Sequence, residues 1–144
     1  MKLLPAIPLL LLSMPAQAWE FRALPDCTLD HATDEVEIEV TFDPRIPEYA
    51  INLTLIDAPW PAAPAFGIRF EGSRPNLIVT DRHQLSDEDR TLSVRDSGFG
   101  NVLNGLEFND FAIALAGDTA IVFPLDGAAG PVEEFRACIT SPGV

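Results

Sequence analysis

Lysine is almost missing from this chain. Its 144 residues hold one, Lys2, among nine basic residues that face 22 acids, for a formal charge of −13. A balance this acidic argues against nucleic acid or an anionic membrane surface as a partner, since both repel negative charge. Histidine is scarce as well, with only His31 and His83. Two histidines and two cysteines make a zinc site of three or four ligands hard to assemble. The cysteines, Cys27 and Cys138, form no C-x-x-C pair, which argues against thiol–disulfide chemistry. Beyond Leu12 no apolar run approaches the roughly twenty residues that a membrane helix needs. There is no internal repeat or low-complexity tail, and no cofactor or catalytic motif rises above background, so no catalytic residue and no cofactor is assigned.

What is present begins at the first residues. Met1-Lys2, an apolar run from Leu3 to Leu12 and Pro15-Ala16-Gln17-Ala18 read as a secretory signal peptide cut after Ala18. The run is about half the length of a membrane span. Residues bulkier or more charged than a lipobox allows precede Cys27, so lipid anchoring is not expected. The expected product is a single exported β domain, residues 19–144, periplasmic or secreted, with its charge at −14 once Lys2 has left. In an oxidising compartment Cys27 and Cys138 are expected to pair. Closing a loop of that size contributes about 4 kcal/mol in the chain-entropy picture. The sequon Asn52-Leu53-Thr54 would matter only in a eukaryotic secretory pathway.

Period-two alternation dominates the rest. Val36, Ile38, Val40 and Phe42 alternate with Glu35, Glu37, Glu39 and Thr41, the mark of a half-buried strand. Tyr49 to Leu55 predicts a returning strand after the Asp43-Pro44 turn. Further strands are expected at Phe66–Phe70, Leu77–Thr80, Leu92–Val94, Phe111–Leu115 and Ala120–Leu125. Asp81 to Asp89 reads as a polar segment, and Val102 to Phe108 is ambiguous with Gly105 inside it. Pro131, with Glu133 and Glu134 early and Arg136 late, predicts a C-terminal helix with Val132, Phe135 and Cys138 on one face. The fold class is therefore mainly β: an antiparallel sandwich or barrel of about eight short strands with a short C-terminal helix.

Several places could carry chemistry. Asp96-Ser97-Gly98 imitates an aspartic-protease triplet, but that chemistry needs two carboxylates sharing a proton, hence a dimer; the same residues also suit a turn. Asp81, His83, Asp87 and Asp89 are hard-oxygen and imidazole ligand types that could hold a metal, although no EF-hand spacing is present. Ser86 with Asp89 equally suits a helix-capping turn. Trp60, between Pro59 and Pro61, could dock a peptide or a sugar ring if exposed, or fold back onto the sandwich rim. Glu35, Glu37 and Glu39 would share one strand face, either to meet a cationic protein or to keep a solvent face from edge pairing.

The segment Thr119-Ala-Ile-Val-Phe-Pro-Leu-Asp-Gly-Ala-Ala-Gly-Pro-Val-Glu-Glu-Phe-Arg-Ala-Cys138, with the leader and Cys27, resembles small uncharacterised secreted proteins of alphaproteobacteria. It is loosely similar to invasion-associated locus B-like proteins, which are periplasmic β domains. The resemblance implies a secreted β domain with a terminal disulfide and supplies no catalytic residue. The expected function is that of a non-enzymatic envelope protein binding a protein or peptide. The alternatives are an inhibitor of a basic hydrolase such as lysozyme, for which an acidic surface would speed encounter, and a small hydrolase, dimeric aspartic protease-like or metal-dependent. Oligomeric state is left open.

Overall fold

A computed structural model of the chain describes residues 2–10 and 18–140. Residues 2–10 have no regular secondary structure and lie exposed. Residues 1 and 11–17 of the expected leader, including Pro15, Ala16 and Gln17 before the cut, lie outside the described residues.

From Glu20 onward, ten strands and two helices follow one another among the described residues: β1 (Glu20–Arg22), β2 (Cys27–Ala32), β3 (Val36–Asp43), β4 (Glu48–Leu55), β5 (Phe66–Gly72), β6 (Asn76–Thr80), β7 (Gln84–Ser86), β8 (Thr91–Asp96), α1 (Gly100–Phe108), β9 (Asn109–Ala116), β10 (Thr119–Pro124) and α2 (Ala129–Thr140). They form two antiparallel sheets, one of six strands in the order β1-β2-β3-β4-β8-β7 and one of four in the order β10-β9-β5-β6. The fold class read from the alternation is the one observed. Three strands beyond the pattern, β1, β2 and β7, are short or polar, and pairing with a neighbour rather than their own alternation holds them. The ambiguous stretch 102–108 is helical. No helix among the described residues is long and apolar enough to cross a membrane.

The core lies between the sheets. Register sets Val36 opposite Leu55, Ile38 opposite Leu53 and Val40 opposite Ile51, and all six side chains are buried. Residues two apart share a face, so the intervening Glu37, Glu39, Asn52 and Thr54 point outward. In β9 of the four-stranded sheet the alternation resolves the other way round by size. Ala112, Ala114 and Ala116 of β9 face inward and are buried, whereas Phe111, Ile113 and Leu115 face out. The neighbours explain it: Phe70 and Phe123 both pair with Ala112, and Phe66 pairs with Ala116. Those rings fill the space in front of β9, and only alanine fits between them at interior packing density.

Helix α1 covers one end of the sandwich with Val102, Leu103 and Leu106 buried. Gly105 makes that approach possible, since a Cβ there would stand 2.4 Å from the Phe70 ring. Its partner α2 buries Val132 and Phe135 and carries Cys138, which is bonded to Cys27 of β2 across 111 residues with the Cα atoms 6.1 Å apart. The expected face is correct, but its charge placement is not. The helix begins at Ala129, so Glu133 and Glu134 fall past the first turn and Arg136 lies in the middle. Arg136 instead joins the two helices, donating from Nε to Glu107 at 3.0 Å and from Nη2 to Asn104 at 2.8 Å.

Candidate functional site

The two sheets part at one corner. Chain connectivity brings this about: β6 is an edge strand, and residues 81–83 carry the chain across from it to β7 of the other sheet. At the same corner the chain leaves β8 through Ser97, Gly98 and Phe99 to enter α1. Between β4 and β8 on one side and β5 and β6 on the other lies a cleft of about 320 Å³. Ile51, Phe66, Ile68, Ile78, Val94 and Phe99 give it an apolar wall, and Thr80, Arg82, Asp96 and Asn101 supply polar groups. Its volume falls at the small end of the roughly 300–1,000 Å³ typical of ligand pockets.

Each wall has a local cause. Val94 pairs with Ile51 in the core register, and Asp96, two residues on, pairs with Tyr49. Asp96 thus sits on the inward face where the sheet ends and the cleft begins. Its carboxylate accepts from the Ser97 amide at 2.7 Å and from Arg82 Nη2 at 3.3 Å. Phe99 is buried and stacks on Tyr49 with ring centroids 5.3 Å apart, which fixes the entry to α1. Gly98 and Gly100 line the mouth, and a Cβ at either would meet nothing within 4 Å. Phe99 caps α1 without any side-chain hydrogen bond, and the first turn holds no acid.

Asp96-Ser97-Gly98 is therefore the rim of a cleft. Asp96 faces a guanidinium, whereas paired-carboxylate chemistry needs a second carboxyl against it. Trp60 requires a correction. Its indole is 2 % exposed, donates from Nε1 to the Leu53 carbonyl at 2.9 Å and meets Phe66 edge-on, so it is a core residue and offers no docking surface. Burial of so large a ring with its N–H satisfied outweighs the open geometry of the proline loop.

The candidate metal ligands Asp81, His83, Asp87 and Asp89 are not gathered into one site. Among the described residues no three His, Cys, Asp or Glu side chains converge to hold a metal. The β7–β8 hairpin separates them. His83 lies at the sheet crossing near Phe66, while Asp87 and Asp89 occupy the hairpin tip. Nor does Ser86 cap a right-handed turn: Asp87, Glu88 and Asp89 have φ of 54°, 55° and 64°, a left-handed tip tied down where the Trp60 amide donates to the Asp89 carbonyl at 2.8 Å.

The acidic row is partly assembled. Glu37 and Glu39 line a broad concavity of about 740 Å³ over the outer face of the six-stranded sheet, together with Glu20 and Asp30. Glu35 precedes β3 and lies outside it. Among the described residues that line it the single cation, Arg22, pairs with Asp30 at 2.9 Å and approaches Glu39 at 4.0 Å. Glu39 also accepts from Asn52 Nδ2 at 3.2 Å. Beneath this edge His31 is buried, stacked on Trp19 at 4.8 Å between ring centroids. Burial pushes the His31 imidazole below its ordinary pKa, against the opposing pull of the Ala18 carbonyl and Asp30.

Sequence reasoning missed the cleft itself. Its walls come from four strands and a helix start, all distant in sequence, and the one local hint was the glycine pair around Phe99. No protein-family model matches the chain, and neither a curated protein nor a solved structure matches it.

Proposed function

We propose that this is an exported, non-enzymatic binding protein that takes an apolar side chain of a protein or peptide partner into the cleft between its sheets. The observation that carries the reading is the cleft's composition, apolar walls with a few polar groups, which is the usual make-up of a recognition pocket. Export is supported by the Cys27–Cys138 bond, which persists in oxidising compartments, and by the N-terminal apolar run. The likeness of Thr119 to Cys138 to secreted β domains agrees with export and adds no residue role. Titration of short hydrophobic peptides, followed by amide NMR shifts, tests the reading. Shifts are expected at Gly98–Val102 and Ile78–Thr80, and they should vanish in Gly98→Trp, whose indole plugs the mouth without backbone strain. No shifts up to millimolar peptide, or shifts indifferent to the plug, would refute it.

A second reading, an inhibitor of a cationic hydrolase such as lysozyme, is favoured by the acidic concavity, where four carboxylates face one arginine. It requires salt-sensitive binding that Glu37→Gln and Glu39→Gln weaken.

A further inference from the structure

The outward face of the four-stranded sheet is apolar on β6, β9 and β10, with Arg69 and Glu71 of β5 between them, and nothing among the described residues packs over it. Its outward positions include Leu77, Val79, Phe111, Ile113, Leu115 and Val122 from three strands. Val79 is 61 % exposed and Val122 55 %. Leu77 and Val122 share one row across the sheet with Arg69 and Ile113. Exposed apolar patches of several hundred Å² on a water-facing protein mark contact surfaces.

We propose that this face binds a second copy of the chain in an isologous, two-fold dimer. Charge selects that occupant. The chain as a whole is strongly acidic, which holds copies apart, so they can meet only through a face whose own charges balance across the contact. The outward positions of β5, central in this sheet, carry one cation and one anion, Arg69 and Glu71, 4.0 Å apart. A two-fold axis passing between them sets Arg69 against the second copy's Glu71 and the reverse, which makes the patch self-complementary. The area is adequate. Four strands about 4.8 Å apart, each about six residues long at roughly 3.3 Å per residue, give a face near ~400 Å² in projection. Two such faces with their side-chain relief remove on the order of 1,000 Å², the threshold for a specific if modest interface.

Sedimentation equilibrium of the exported protein over a wide concentration range tests this, with circular dichroism on each variant to check folding. Wild type is expected to reach twice the chain mass. Leu77→Glu/Val122→Glu, changed at exposed positions, should stay at a single mass with an unaltered spectrum. Arg69→Glu and Glu71→Arg should each be monomeric alone and dimerise when mixed, since only the mixed pair restores both opposite-charge contacts. Gly98→Trp should dimerise as wild type does, so this result is independent of the cleft reading. A wild type that stays monomeric throughout overturns the proposal, as does a Leu77→Glu/Val122→Glu variant that still dimerises. A monomer that floats with phosphatidylcholine vesicles also overturns it and would reassign the face to lipid.

Discussion

The six-stranded and four-stranded sheets follow the same alternating rule and arrive at opposite surfaces. In the larger sheet β3 and β4 send Val, Ile and Leu inward, and carboxylates, Asn52 and Thr54 face water. In the smaller sheet β9 sends alanines inward and leaves Phe111, Ile113 and Leu115 outside. Period two dictates a strand with two faces, but the volume left by neighbouring strands decides which face is the core. Phe66, Phe70 and Phe123 take that volume beside β9, so its small residues go in. One domain thus carries a polar face, an apolar face and a cleft between the layers.

The largest blow to this arrangement falls on the staple. Cys138→Ser frees α2 from β2, and loss of a crosslink across a loop of this length is expected to cost about 4 kcal/mol in denaturant unfolding. A loss under about 1 kcal/mol would mean that packing of Val132 and Phe135 alone holds α2 in place.

The inside–outside assignment of β9 is tested by a pair of substitutions. Ala114→Leu overfills the core and should destabilise by about 2 kcal/mol, whereas Ile113→Thr on the outer face should cost less than about 1 kcal/mol. The reverse order in thermal or urea unfolding would mean that β9 is turned over.

A smaller effect comes from the buried histidine of the six-stranded sheet and depends on pH. The His31 pKa is lowered in the folded state, so the unfolded chain binds the extra proton first as pH falls. Its contribution is fully present above the unfolded value of 6.5 and is lost as pH drops from there toward the depressed folded value. His31→Phe should flatten the decline in stability between neutral and mildly acidic pH, and an unchanged slope would assign that decline to other groups.

Much of the fold was legible because burial of one face writes itself into every second residue. Val36 to Phe42 and Tyr49 to Leu55 announced their strands from residue type and spacing, and the oxidising compartment expected from the leader announced the Cys27–Cys138 bond. What was hidden depends on neighbours. β1 and β2 carry weak patterns and exist through pairing, β2 with β3 and β1 in turn with β2. Helix α1 has glycine at its centre because Phe70 leaves no room for a Cβ, a fact of tertiary contact that no propensity encodes. At Trp60 the three prolines signal a loop and leave open whether the indole docks a partner or folds back, and only the packing against Leu53 and Phe66 decides for the second. The cleft was the least legible, because it is the space between side chains from four strands and a helix that only the fold brings together.

The central claim is that recognition occurs where the layers part, through apolar contact. Calorimetric titration of a hydrophobic peptide into wild type and Gly98→Trp, at low and at high salt, addresses it most directly. Wild type is expected to bind with an affinity that salt leaves unchanged and the plug abolishes. An affinity that falls steeply with salt and ignores the plug would contradict it and move recognition to the acidic face.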